Sequence, residues 1–255
     1  MRSTEAHPGS TPVIGSLLAT GSALIAAFVF APAALLGGAV SGDAVGRGLA
    51  EYWRSGGPRY PALLAALVDH WFRWHAIKVV ISSLIIVVFA LLAVALWRRY
   101  LHGAAGHAAG AIGATVFTVL ATGLLILNIQ ATAVPLVALL PMPAAGESGP
   151  VPHEIRAALT GPAGGPPALT VLLGEVERYH WVMVATAATV LAALAPAGAA
   201  LWRRRGAGDA RLRFLRRTLS VLLTVTASLL LLLVVAGALS AAAPGDTLLT
   251  VLAPA

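Results

Sequence analysis

Five apolar stretches constrain this chain more than any other feature of its sequence. They cover residues 13–40, 76–97, 111–133, 181–202 and 218–243. Each approaches or exceeds the roughly 20 residues with which a helix crosses a hydrocarbon core of about 30 Å. Only 11% of the residues are charged, which is too few to surround a core with a polar shell. We therefore predict an all-α integral membrane protein, a bundle of five transmembrane helices in one membrane domain over residues 1–255, with the lipid bilayer as its partner.

Basic residues predict the orientation of these helices. The side formed by the N-terminus and by the connections after the second and fourth stretches has ten basic and two acidic residues, whereas the other side has seven basic and eight acidic residues. The positive-inside rule places the first side in the cytoplasm. We predict a multi-pass protein of the plasma membrane with a cytoplasmic N-terminus and an extracytoplasmic C-terminus. Alternatively, the first stretch is a signal peptide cleaved near Ala31-Pro32-Ala33.

The positive net charge has a membrane interpretation. At +7 it would suggest nucleic acid in a soluble protein, but here the excess lies in the loops that set the topology, so we expect no nucleic-acid partner. The segment Arg203–Arg217 alternates arginines with Leu212, Phe214 and Leu215. We expect a short amphipathic helix on anionic lipid there, with docking of a cytoplasmic partner as the alternative. Cysteine is absent, which excludes disulfides and thiolate metal sites.

Two long outer loops, roughly residues 41–75 and 141–180, are predicted to be largely irregular. The second is rich in proline and glycine, which break regular structure. Each loop nevertheless ends in a helical pattern that a proline opens, over 61–74 and 167–180. We predict that these two segments are short helices at the membrane interface.

An internal repeat is predicted from four matches in the same order. Residues 18–21, 61–63, 73–75 and 96–99 match residues 120–123, 167–169, 178–180 and 201–204, at offsets between 102 and 106. We interpret them as a parallel duplication of a two-helix hairpin. Repeat A covers about 13–100, repeat B covers about 115–205, and the fifth transmembrane helix, about 218–243, is an addition.

Residues that occur in both copies are explained most simply by the architecture. The pairs Arg73/Arg178, Trp74/Tyr179 and His75/His180 lie where a predicted helix meets the outer interface, so we expect them to contact headgroups. We predict no metal site. The alternative is that His75 and His180, with His70, bind a metal ion or relay a proton.

Residues that occur in one copy only define a candidate ligand pocket toward the outer side. Lys78 is the only lysine, and the register places Met183 at its counterpart. Polar groups at membrane depth usually face protein or a water-filled cavity. The alternative is that Lys78 extends to the interface and that Asn128 bonds a neighbouring helix. The pocket candidates are Lys78, Asn128, Gln130, His75, His180 and Ser82, of which His75, Lys78 and Ser82 share a helix face.

Two functions follow from these residues. The sequence has no Gly-rich phosphate loop, no Asp-rich diphosphate motif and no G-x-S-x-G motif. We therefore favour a non-catalytic membrane component with a transport-accessory, assembly or small-ligand-binding role, either with a membrane partner subunit or as a homo-oligomer. The alternative is a membrane-embedded enzyme that acts on a lipophilic substrate from the outer leaflet through Lys78, His75, His180 and Asn128. No cofactor is indicated.

A resemblance to a family of proteins indicates the kind of organism from which the chain comes. The segment Leu127-Asn128-Ile129-Gln130 with Pro135, the junction Arg178-Tyr179-His180 and the overall layout resemble multi-pass membrane proteins of actinobacteria. The resemblance implies a bacterial membrane protein. It implies no activity, cofactor or site residue.

Overall fold

The computed structural model describes residues 11–142, 151–161, 165–204, 206 and 208–252. Within these ranges the chain is helical and has no β-strand, as predicted. Some residues on which the predictions depend lie outside the described ranges, namely the charged residues Arg2, Glu5 and Arg205 and the proline- and glycine-rich segment 143–150. The described helices are α1 (Thr11–Leu36), α2 (Gly42–Ser55), α3 (Ala62–Leu101), α4 (His107–Ala133), α5 (Pro135–Leu139), α6 (Val151–Thr160), α7 (Pro167–Arg204), α8 (Ala210–Ala242) and α9 (Pro244–Val251).

Five of these helices, α1, α3, α4, α7 and α8, are long and apolar enough to cross a membrane. This confirms the number of membrane-length helices predicted from the sequence. Large apolar side chains are exposed along them, for example Val80, Leu120 and Leu239, each more than 60% exposed. Such surfaces fit a lipid bilayer, because burial against other helices does not cover them.

The helix α1 ends earlier than the predicted first span. The amide of Gly37 donates to the carbonyl of Ala33 (3.0 Å), and both Gly37 and Gly38 have positive φ angles, of 80° and 115°. Residues with a side chain rarely adopt this conformation, so the two glycines end the helix at Leu36 rather than at Val40.

The segments predicted as short interfacial helices are not separate elements. Residues 62–74 are the first turns of α3, and residues 167–180 are the first turns of α7. The 40 residues of α3 contain neither glycine nor proline, so nothing interrupts a helix of about 60 Å. Likewise, the basic residues 210–217 belong to the first turns of α8 rather than to an independent surface helix.

The described residues form two compact units. Unit 1 consists of the described residues within 1–31, 80–125 and 192–228. Unit 2 consists of the described residues within 32–79, 126–191 and 229–255. The short connections α3–α4 and α7–α8 lie in unit 1. The four helices that are too short to cross a membrane, α2, α5, α6 and α9, all lie in unit 2.

Unit 2 has a hydrophobic core of its own, formed largely by these short helices. In α2, Ser41 caps the first turn by accepting the amide of Ala44 (3.3 Å), and Gly56, with a φ of 62°, ends the helix. One face of α2 is buried, and its charged residues lie on the opposite face. The buried core consists of Val45, Leu49, Tyr52, Leu64, Val134, Leu136, Val137, Leu139, Leu140, Val151, Ile155, Ala168, Leu169, Leu172, Val176 and Leu248.

Unit 1 has a smaller core between α3 and α4. Its buried residues are Leu92, Ala93, Leu96, Trp97, Ala111 and Ala114. The indole of Trp97 donates to the hydroxyl of Thr115 (3.1 Å), which gives this buried ring a polar partner. Alanines on the α4 side allow the larger side chains of α3 to pack closely against that helix.

Candidate functional site

Five of the six pocket candidates lie in unit 2. His75 and Lys78 are on α3, Asn128 and Gln130 are on α4, and His180 is on α7. Asn128 and Gln130 are buried, at 6% and 2% exposure, whereas the two histidines and Lys78 are half-buried. Ser82, also on α3, is buried and belongs to unit 1.

Gln130 joins α4 to α7. Its side-chain amide donates to the backbone carbonyl of Tyr179 (3.1 Å). A second bond runs the other way, since the guanidinium of Arg178 donates to the carbonyl of Ala133 (3.1 Å). Ala133 is the last residue of α4, where carbonyls lack intrahelical donors. These two bonds, which we call the α4–α7 latch, give Gln130 and Arg178 a defined structural role.

His75 and His180 have the same local geometry. The Nδ1 atom of each ring lies close to the backbone carbonyl four residues earlier, 3.0 Å from that of Trp71 and 2.8 Å from that of Val176. A carbonyl oxygen can only accept a hydrogen bond, so Nδ1 carries the proton and the Nε2 atom of the neutral ring carries the lone pair. Neither imidazole is hydrogen-bonded to a hydroxyl within the described ranges.

Lys78 and His75, in the first half of α3, each lie beside a tryptophan ring. The ammonium of Lys78 lies 5.6 Å from the ring centre of Trp74, a cation–π distance. The ring centres of Trp71 and His75 are 4.6 Å apart. The indole nitrogen of Trp71 is buried without a hydrogen-bond partner among the described residues. We call Trp71, Trp74, His75 and Lys78 the α3 cluster.

Tyr52, on α2, lies in the hydrophobic core of unit 2. Its hydroxyl donates to the carbonyl of Ala168 (3.3 Å), and its ring meets that of Tyr60 edge-on at 5.4 Å. Burial, with a contribution from Glu175, raises the pKa of Tyr60 to about 12 and also raises the pKa of Tyr52. Both hydroxyls are therefore protonated donors at neutral pH. The spacing of Val45, Leu49 and Tyr52 on one helix face was the signal available in the sequence.

The paired arginines contact acidic neighbours. Arg73 forms an ion pair with Asp69, and Arg178 lies 3.6 Å from Glu175. His70, the third residue of the alternative metal set, lies 3.1 Å from the carbonyl of Gly38 through its Nε2 atom. No group of three histidine, aspartate or glutamate residues arranged to hold a metal ion occurs in the described part of the chain. The set of His70, His75 and His180 is thus not assembled into such a group.

Among its described residues, unit 2 provides the ammonium of Lys78 beside an aromatic ring, imidazoles oriented by backbone carbonyls, and the buried carboxamides of Asn128 and Gln130. An ammonium at an aromatic face can recognise an anionic group, and an imidazole with a fixed ring can act as a base. The comparisons with known proteins add no assignment: no family model, curated protein or solved structure matches the chain.

Proposed function

We propose that the chain is a non-catalytic, small-ligand-binding component of a bacterial plasma membrane. Its ligand site is the α3 cluster with Asn128, and the ligand is a small amphipathic anion, an acidic head on an apolar tail. The observation that carries this proposal is the half-buried ammonium of Lys78 beside the ring of Trp74. A cation at this depth is costly unless an aromatic face or an anion compensates it.

The other polar candidates support binding rather than catalysis. The amide of Gln130 is bonded to the carbonyl of Tyr179, and the rings of His75 and His180 are fixed by carbonyls of their own helices. Fixed polar groups provide a rigid surface for recognition.

The orientation belongs to the same proposal. With the N-terminus in the cytoplasm, the α3–α4 and α7–α8 connections would lie on the cytoplasmic side, and the first turns of α3, which carry the α3 cluster, on the outer side. The duplication is also supported by the order of the helices. A membrane-length helix, a short helix and a long helix that follows a proline or begins with one occur as α1, α2 and α3. The same order recurs as α4, α6 and α7, with the five-residue helix α5 as an addition in the second copy.

Fluorescence quenching by two matched probes tests the ligand site. A brominated long-chain carboxylate and the brominated alcohol of the same length differ in charge alone, and bromine quenches tryptophans that it contacts, here Trp71 and Trp74. We expect the carboxylate to saturate at a concentration about five- to thirty-fold lower than the alcohol, because an ion pair in a poorly hydrated site contributes about 1–2 kcal/mol. Lys78→Gln should abolish this difference.

Arg73→Gln is the matched control. It removes one positive charge from the same helix, five residues away, from an exposed side chain that pairs with Asp69. It should leave the preference for the carboxylate unchanged. Equal saturation by the two probes in the unmodified protein, or an equal loss in both variants, would contradict the proposal.

A membrane-embedded enzyme is the second candidate, and the free Nε2 lone pairs of His75 and His180 favour it. An imidazole with Nδ1 held by a carbonyl is correctly oriented to act as a general base through Nε2. His75→Gln distinguishes the two functions. A site that only binds turns over no lipid ester in either form, and the variant changes carboxylate binding alone. Turnover of a lipid ester by the unmodified protein that this variant loses, while it still binds the carboxylate, would establish catalysis.

A further inference from the structure

The arginines of unit 1 have almost no acidic partner within that unit. Its described residues include Asp209 as the single acidic residue. The carboxylate of Asp209 accepts the amide of Leu212 (2.8 Å) and so caps the first turn of α8. The positive charge must therefore be compensated from outside the unit. The described arginines are Arg98, Arg99, Arg203, Arg204, Arg211, Arg213, Arg216 and Arg217.

Two of these arginines hold the fold together. Arg211 donates to the carbonyls of Tyr100 (2.9 Å) and Gly103 (3.0 Å), at the end of α3, and lies over the ring of Tyr100 at 5.7 Å. Arg216 donates to the carbonyl of Arg204 (3.2 Å), at the end of α7. The carbonyls of Tyr100 and Gly103 also accept the backbone amides of Gly103 and Ala105, so Arg211 adds a second, charged donor at this helix end. The start of α8 is thereby tied to the ends of two other helices.

Four other arginines are exposed around this junction. Arg203 and Arg204 end α7, and Arg213 and Arg217 lie on the first turns of α8. Two of them also bond a nearby carbonyl, Arg203 that of Ala199 and Arg213 that of Gly208. A carbonyl satisfies a donor but does not neutralise a charge. The bond between Arg216 and Arg204 joins the end of α7 to the first turns of α8, the two segments that carry these arginines.

Exposed aromatic rings accompany these arginines. Trp202 is 54% exposed and Phe214 is 42% exposed, and each lies next to an exposed arginine at the polar end of an apolar helix. Aromatic rings beside basic residues at such a position are typical of the headgroup region of a membrane. A nucleic-acid surface would be expected on a polar face away from the apolar helices, so the rings favour lipid.

We propose that Arg203, Arg204, Arg213 and Arg217 form a binding surface for the phosphate groups of anionic phospholipids, whereas Arg211 and Arg216 hold the fold. We call the first four residues the arginine surface. Guanidinium groups bind phosphate through two parallel hydrogen bonds, and an arginine near an anionic membrane contributes about 1 kcal/mol. This proposal does not depend on the outer ligand site, since it concerns the other unit and a different ligand.

Lipid retention tests the arginine surface. The purified full chain is equilibrated with equal amounts of phosphatidylglycerol and phosphatidylcholine of matched acyl chains, and the lipids it retains are counted by native mass spectrometry. We expect a preference for phosphatidylglycerol that falls with added salt. Replacing Arg203, Arg204 and Arg217 by glutamine together should lower this preference by about five-fold or more, from about 1 kcal/mol for each charge.

Two comparison variants separate charge from structure. Replacing Arg47, Arg54 and Arg59 by glutamine removes the same charge from exposed positions of unit 2 and should leave the preference unchanged. Arg211→Gln should lower the thermal midpoint of unfolding while the folded fraction keeps its preference. The single variant Arg217→Gln, with its own salt dependence, serves if the triple variant does not fold.

Three results would overturn the proposal. The first is equal retention of the two lipids by the unmodified protein. The second is an equal loss of preference in the unit 2 control. The third is that the unmodified protein binds a fluorescent single-stranded oligonucleotide and the triple variant does not, while both retain the same lipids. That result would assign the surface to nucleic acid instead.

Discussion

At the scale of single residues, the α4–α7 latch shows how polar groups can be used within an apolar bundle. Gln130 and Arg178 lie on different helices, and each donates to a backbone carbonyl of the other helix. Interhelical hydrogen bonds of this kind average about 0.6 kcal/mol in a membrane protein, and larger values occur. Two bonds that join the same helices should depend on each other, because either one orders the groups of the other.

We predict that Gln130→Leu and Arg178→Gln each lower the free energy of unfolding by about 0.5–1.5 kcal/mol. The double variant should lose less than the sum, with a coupling energy of about 0.5 kcal/mol or more. Denaturant titration of the reconstituted variants measures all three losses. Thr132→Val is the matched control on α4, because its hydroxyl bonds only the carbonyl of Asn128 in its own helix. Strictly additive losses would show that the two bonds act separately.

The residue scale also shows where sequence reasoning was limited. Lys78, Asn128 and Gln130 were selected because they occur in one copy of the predicted repeat and lie near a membrane boundary. This reasoning identified polar residues that are buried or half-buried in unit 2. It could not distinguish Gln130, which bonds a carbonyl 49 positions away, from Lys78, which lies over a ring on its own helix. Long-range partners are set by packing and leave no local pattern.

At the scale of helices, length and hydropathy in the sequence identified the five described helices that are long and apolar enough to cross a membrane. The predicted ends of these helices were less accurate, because local backbone conformation determines where a helix stops. The Gly37–Gly38 pair ends α1 before the predicted boundary. In α3 no helix breaker occurs at the predicted boundary near residue 75, so the helix continues through it. The short helices α2, α6 and α9 were not predicted. Each is too short to be stable alone and depends on burial in the core of unit 2, which periodicity within one segment does not reveal.

Packing between helices gives a prediction at this scale. In unit 2, α8 approaches α7 closely at Gly237, where an added Cβ would lie 2.8 Å from Cε of Met183 and 2.9 Å from Cγ2 of Val184. The thioether can move, but the branched side chain of Val184 is stiff. Gly237→Ala should therefore lower the free energy of unfolding by about 1–3 kcal/mol.

Gly123→Ala is the matched control, since an added Cβ at this position of α4 has no neighbour within 4 Å. It should be neutral or stabilising by up to about 1 kcal/mol, because alanine favours a helix more than glycine does. Thermal unfolding of the two variants in the same detergent compares them directly. Equal effects would mean that α7 and α8 do not pack closely at Gly237.

At the scale of the whole molecule, the distribution of elements between the units matches the predicted asymmetry of the chain. Every described helix that is too short to cross a membrane belongs to unit 2, and the two connections rich in arginine belong to unit 1. Five membrane crossings, an odd number, would put the two termini on opposite sides of the membrane, and the charge rule predicts the direction.

Reporter fusions give the direction. Alkaline phosphatase folds only outside the cytoplasm, so we predict activity for fusions after Gly57 and after Ala255, and none for a fusion after Ala105 in the connection between α3 and α4. If only the fusion after Ala105 were active, the protein would have the opposite orientation in the membrane, with the arginine surface outside. Activity of the fusions after both Ala105 and Ala255 would mean that the chain crosses the membrane one time fewer than predicted between these two positions. An N-terminal epitope tag that stays on the purified protein would exclude cleavage near Ala33, whereas its loss would leave four helices whose orientation is unchanged.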